Sequence, residues 1–212
     1  MKKNKLLLSA ITLLIFILSS CGGGTDNNSN NNENREENPK IETEENKTTT
    51  ENTVDDKIKY IKEKFSEIEK NISNYEKKDA LFSGTVGEEG QEYYVHTEWL
   101  AFYNGDKITK LVESTGEEGY WAEISYYYDN GKLFFIFHEL EFDGYPIEES
   151  RIYIYDGKII DALTKSVDEM SEESLSDVKN QKYDEVLTGE LKDMYLNWEK
   201  NAMEGFLENV DK

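Results

Sequence analysis

From residue 54 onward, the order of apolar and polar positions changes rhythm twice. Val54, Ile58, Ile61, Phe65, Ile68, Ile72 and Tyr75 recur at steps of four, three, four, three, four and three. Those steps gather the seven side chains on one side of an α-helix. The spacing predicts a helix from Val54 to Lys77, with Thr53 as N-cap and Asp55 and Asp56 in a first turn where the helix dipole favours acids. The stripe covers about three heptads, so it is expected to pack on the protein's own sheet rather than pair as a coiled coil.

The middle of the chain reads as β-structure. Phe102-Tyr103-Asn104-Gly105-Asp106-Lys107-Ile108, Tyr127-Tyr128-Asp129-Asn130-Gly131-Lys132-Leu133 and Ile154-Tyr155-Asp156-Gly157-Lys158-Ile159 repeat one cadence. Each joins aromatic or β-branched runs through Asn-Gly or Asp-Gly, residues that accept the positive φ of a tight hairpin turn. This hairpin repeat predicts about six antiparallel strands in a meander. With Asn130-Gly131 as a two-residue turn, Tyr128 pairs with Leu133, Tyr126 with Phe135 and Ile124 with Phe137. Together with Ala122 these form an almost wholly apolar face. The other face then carries Trp121, Glu123, Ser125, Tyr127, Phe134, Ile136, His138 and Leu140, a mixture expected of a partly exposed sheet surface. A three-residue turn through Asp129 shifts this pairing by one. Tyr145-Pro146 falls in a connection, where proline does no harm.

After Leu163 the helical rhythm returns. The stretch from Ser166 to Asp177 is a connection or short helix. Tyr183, Val186, Leu187, Leu191, Met194, Tyr195, Trp198 and Met203 then fall at helical spacings, and Phe206, Leu207 and Val210 extend the stripe. Gly189 and Gly205 mark places for a bend or break. The expected fold class is α+β. It has an N-terminal amphipathic helix, an antiparallel meander of about six strands, and a C-terminal helix or helix pair, the helices packed on one sheet face. Residues 54–212 are enough for one globular domain.

The N-terminal segment has a different character. Lys2, Lys3 and Lys5 precede an uncharged apolar run from Leu6 to Leu18, shorter than the ~20 residues of a membrane-spanning helix. The run closes on Leu18-Ser19-Ser20-Cys21, which resembles the lipobox of bacterial lipoproteins. The resemblance implies a signal peptide over 1–20 and multiple acylation of Cys21. The protein would then be anchored by lipid to the cell membrane, the outer membrane or a Gram-positive surface, outside the cytoplasm. Cys21 is the single cysteine, so the mature domain is expected to hold no internal disulfide. Residues 21–53 follow as a polar, acidic tether rich in Asn, Glu and Thr. Such a segment buries too little surface to offset its ordering entropy.

Charge and chemistry narrow the function. The formal net charge is −21, and removing residues 1–20, with three lysines and no acid, makes it −24. That balance argues against nucleic acid, whose phosphates are held by Lys and Arg. No phosphate-binding loop, nucleophile elbow, HExxH or CxxC occurs, and neither cofactor nor metal is expected. In meander order His96 and His138 lie three strands apart, roughly 14 Å, too far for one ion. The two-residue register sets Glu123 opposite His138, a pair able to raise the histidine pKa. The aromatics Trp121, Tyr127 and Phe134 on the mixed face suit stacking on a sugar or anchoring a protein.

The runs YYDNGKLFFIF and RIYIYDGKII resemble bacterial surface lipoproteins built from aromatic strands and Asn-Gly turns, a likeness that implies no activity. The expectation is a non-catalytic envelope lipoprotein that binds a protein or glycan, with Trp121, Tyr127, Phe134, His138 and Glu123 as candidate binding residues. Two other readings are an inhibitor or immunity-type lipoprotein with an acidic blocking surface, and an envelope hydrolase using carboxylates.

Overall fold

A computed structural model describes residues 53–86, 93–117, 120–168, 171, 173–189 and 191–211. The expected signal peptide over 1–20, Cys21 and the expected tether up to residue 52 lie outside the described residues. The fold opens with α1, Val54–Asn71, followed by a 3-10 turn over Ile72–Asn74. Thr53 caps it: its hydroxyl accepts from the Asp56 backbone N–H while the Asp56 carboxylate accepts from the Thr53 backbone N–H. The helix is shorter than its apolar rhythm predicts, because the chain from Glu76 is taken up as a strand.

The sheet is larger than expected. Among the described residues it has eight strands rather than about six, all antiparallel and in sequence order. They are β1 (Glu76–Val86), β2 (Tyr93–Asn104), β3 (Lys107–Glu117), β4 (Tyr120–Asp129), β5 (Lys132–Phe142), β6 (Ile147–Tyr155), β7 (Lys158–Val167) and the two-residue β8 (Gln181–Lys182). The three repeated hairpins are β2–β3, β4–β5 and β6–β7; β1 and β8 add an edge on either side. Asn130 and Gly131, and Asp156 and Gly157, all hold positive φ as the hairpin cadence demands. In the first hairpin the pair Asn104↔Lys107 closes on Gly105-Asp106, one residue later than Asn-Gly suggests.

Each hairpin also carries a β-bulge at the same place. Register shifts skip Thr109, Phe134 and Ile160, each two residues past the lysine that closes its turn. A bulge sets two residues of one strand against one of its neighbour and sharpens the local twist. Its consequence for β5 is direct. Tyr128 pairs with Leu133 as expected, but Tyr126 pairs with Ile136 and Ile124 with His138, not with Phe135 and Phe137. One extra residue has turned the rest of β5 over.

Helices cover both faces of the sheet, not one. On the first face, α2 (Asp184–Thr188) and α3 (Leu191–Asn209) bury Trp99, Ala101, Leu111, Tyr126, Ile136, Ile152 and Ala162 beneath Val186, Tyr195, Ala202 and Phe206. On the second face, α1 sets Ile61, Phe65 and Ile68 over Tyr127, Phe134, Phe135 and Tyr153. The physical reason lies in the runs IYIY and LFFIF: near the hairpin tips successive residues are apolar, so both sides of each strand need cover. Gly189 separates α2 from α3. Gly205 does not bend α3; a Cβ there would stand 2.6 Å from Cζ2 of Trp99, so the helix backbone rests directly on the indole. No helix among the described residues is long and apolar enough to cross a membrane.

Candidate functional site

The strands are longer than α1 is wide, and the second face is covered unevenly. Its row nearest the hairpin tips, Phe102–Lys110–Tyr127–Phe135–Tyr153–Asp161, pairs directly strand to strand. Most of it lies under α1, where Phe65 meets Tyr127 and Phe135 edge-on and Glu69 accepts from Lys110 and Tyr127. Two residues further along each strand, the register aligns Leu100, Val112, Ser125, Phe137, Arg151 and Leu163.

Beyond that comes a different row: Leu81–Glu98–Ser114–Glu123–Glu139–Glu149–Lys165, each directly opposite the next. Glu123, Glu139 and Glu149 occupy three adjacent strands. Like charges placed directly opposite one another in a sheet are destabilising. Glu149 is neutralised in place: it accepts from Arg151 Nη2 at 2.8 Å and Lys165 Nζ at 3.3 Å and is buried. Glu98 faces His96, with Nε2 and Oε1 3.1 Å apart. Neither Glu123 nor Glu139 forms an ion pair among the described residues; Glu123 accepts only a long 3.4 Å hydrogen bond from Ser114. Burial, and then the charges of Glu123 and Glu149, raise Glu139 above the usual carboxylate range. Exposed apolar side chains flank these acids on the same face: Leu81, Tyr94 and Trp121, the last 40% exposed. Acid and aromatic together make an open half-sheet suited to a flat, cationic partner.

The residues expected from sequence are distributed differently. Trp121 and Glu123 belong to this open half. Tyr127 and Phe134 share the face but not the exposure: at 2% and 5% exposed they form the floor beneath α1. His138 is on the opposite face, 9% exposed, with its ring against Tyr195 and Trp198 of α3. Burial alone lowers its pKa to about 4. Glu123 therefore pairs with Glu139 and not with His138, and the histidine that a carboxylate was expected to raise is instead pushed down. His96 and His138 are three strand steps apart on opposite faces. Among the described residues no three His, Cys, Asp or Glu side chains gather as a metal site.

Sequence reasoning missed Leu81, Tyr94, Glu98 and Glu139 as members of one surface. The bulge at Phe134 is what brings Glu139 beside Glu123, and no local pattern in β5 announces it.

The class defined here is an α+β domain, an antiparallel eight-stranded meander held between one helix and a helix pair. No family model, curated protein or solved structure matches the chain.

Proposed function

We propose that this protein is a lipid-anchored, extracytoplasmic binding protein without catalytic activity, whose open half-sheet docks a basic protein segment. The observation that carries the reading is the directly opposed pair Glu123 and Glu139, set without an ion pair among the described residues on the part of the second face that α1 leaves uncovered, next to the buried and neutralised Glu149. A sheet that keeps like charges opposite one another gains nothing in stability from them. A cationic partner relieves that repulsion and is drawn in by it, while Trp121, Tyr94 and Leu81 supply apolar contact. What supports the location is in the sequence: the lipobox-like Leu18-Ser19-Ser20-Cys21 after an uncharged apolar run, followed by a polar, acidic stretch up to residue 53.

The test uses a lysine- and arginine-rich peptide, with Trp121 emission as the reporter. Binding is expected at low ionic strength, weakened at least tenfold in 1 M salt because screening reaches exposed charges. It should be lost in the double variant Glu123→Gln/Glu139→Gln and kept in Glu63→Gln/Glu67→Gln, which removes the same charge from α1. Equal loss in both variants would reduce the effect to net charge and sink the site. Mass spectrometry of the N-terminal peptide from the native host tests the anchor separately: an unmodified Cys21 would overturn it.

A second reading, an inhibitor-type lipoprotein, rests on the same acidic pair, which is also suited to covering a basic active site. Loss of a target enzyme's activity on complex formation separates this role from simple docking.

A further inference from the structure

The second face already contains one arginine cradle that is filled from within. Arg151 of β6 lies directly opposite Phe137 of β5, with its guanidinium carbon 5.8 Å from the ring centroid. The same group donates through Nε and Nη2 to Glu149 Oε1, each at 2.8 Å. Glu149 stands two residues from Arg151 on β6, diagonal to the ring. A ring from one strand and a carboxylate from the next thus hold a planar cation by two means at once. The aromatic face attracts its positive charge, and the carboxylate takes the N–H groups at its edge. Lysines serve other rings of that face: Lys77 and Lys110 lie over Phe102, Lys110 over Tyr127 and Lys62 over Tyr153.

Trp121 breaks this pattern. On β4, at the end of the face that α1 leaves uncovered, it sits directly opposite Glu141 of β5, with Glu139 diagonal to it and Glu123 two residues along its own strand. Directly opposed residues in a sheet have Cβ atoms ~4.5–5.5 Å apart and diagonal neighbours lie ~7–8 Å apart. Three carboxylates therefore lie within a side chain's length of the indole, on its own face because the bulge at Phe134 turned β5 over. Among the described residues none of the three forms an ion pair, and no cation lies over the indole. On its other side Trp121 faces Gly116 of β3. A Cβ on Gly116 would stand 3.9 Å from Trp121 Cδ1, so the indole leans over a position that raises no side chain against it.

We propose that Trp121, Glu123, Glu139 and Glu141 form an arginine-binding subsite. The basic segment that docks on the open half-sheet presents one arginine whose guanidinium stacks on the indole while its edge donates to these carboxylates. The subsite depends on the docking reading above and specifies the side chain that the partner must carry. Lysine fills the place less well. Its ammonium is a compact, strongly hydrated charge with no plane to lay on the ring, so it does not join indole and carboxylate in one geometry.

The experiment is isothermal titration calorimetry of the intact chain with two peptides, identical except that one carries arginine where the other carries lysine. The arginine peptide is expected to bind at least about fivefold more tightly. Trp121→Leu, which keeps apolar cover without a ring, should remove that preference and leave both peptides at the level of the lysine peptide. Trp121→Phe, which restores a ring, should recover part of it. Tyr94→Leu, which removes another exposed aromatic of the same half-sheet, should leave it unchanged. Equal affinity of the two peptides for the wild type would overturn the arginine subsite while acidic docking stands. A preference that survives Trp121→Leu, or one lost equally in Tyr94→Leu, would overturn it as well. If neither peptide binds, the docking reading falls and the subsite with it.

Discussion

The two faces of the sheet treat the same side-chain chemistry in opposite ways. Under α3, Glu113 and His138 share one cross-strand row, separated by Ile124, and burial favours the neutral form of each. Across the sheet, Glu123 and Glu139 stand in a row that no helix covers and keep contact with water. What differs is the cover: a carboxylate beneath a helix is a constraint on the fold, while one on a bare strand is available to a partner. Residue type alone carries little functional meaning in a chain so rich in acids.

The largest expected effects test whether both covers are needed. Phe206→Ala on α3 should cost ~3–5 kcal/mol and Ile61→Ala on α1 ~2–5 kcal/mol in urea unfolding, as for other fully buried side chains. Trp121→Ala should stay within ~0.5 kcal/mol. A neutral Ile61→Ala would mean that α1 is not part of the cooperative fold and would dissolve the comparison between faces.

Next in size is the pH profile of stability. His138, lowered by burial, contributes stability that grows as pH rises from about 4 to 6.5. Glu113, raised to about 7, contributes stability that declines from 4.5 through 7. The two therefore oppose each other below 6.5. Unfolding measured at a series of pH values should show Glu113→Gln gaining up to roughly 3 kcal/mol relative to the wild type between pH 4.5 and 7.5. A constant difference between the two proteins would place the titration elsewhere.

Gly205→Ala comes third. Its methyl would meet the Trp99 indole well inside van der Waals contact, and overpacking of this kind costs ~1–3 kcal/mol. A stabilised variant would show that α3 has room to shift. The smallest effect is a gain. Glu139→Gln removes a charge set opposite Glu123 and Glu149 and should raise stability by ~0.2–1 kcal/mol. Loss of stability would mean that the acidic row is held by compensating contacts and is not a strained, ready surface.

Much of the fold was legible because its signals are local. The α1 stripe from Ile58 to Tyr75 faces its core as the spacing requires, and the repeated turn cadence closes three hairpins, the second on Asn130-Gly131, the third on Asp156-Gly157 and the first one residue later, on Gly105-Asp106. The end of α1 was not legible: Ile72 and Tyr75 continue the helical rhythm, yet they also pack under the sheet from a 3-10 turn and a strand lead-in. Strand β1 escaped because EKKDALFSGTV has neither clean alternation nor a turn of the repeated kind. Of the candidate site, Trp121 and Glu123 were found on the surface expected of them. Tyr127 and Phe134 were placed on the correct face but not under its helix, and His138 was placed on the wrong one.

The amino-acid sequence by itself determined the alternation of helix, hairpins and helix, because backbone periodicity and turn chemistry depend on neighbours a few residues away. Only the tertiary structure decided which face each residue of β5 presents, where the helices lie, and which glutamates share a face with them. Those outcomes depend on a single bulged residue and on contacts between elements as distant as Trp99 and Gly205, and charge in a protein takes its meaning from the water around it.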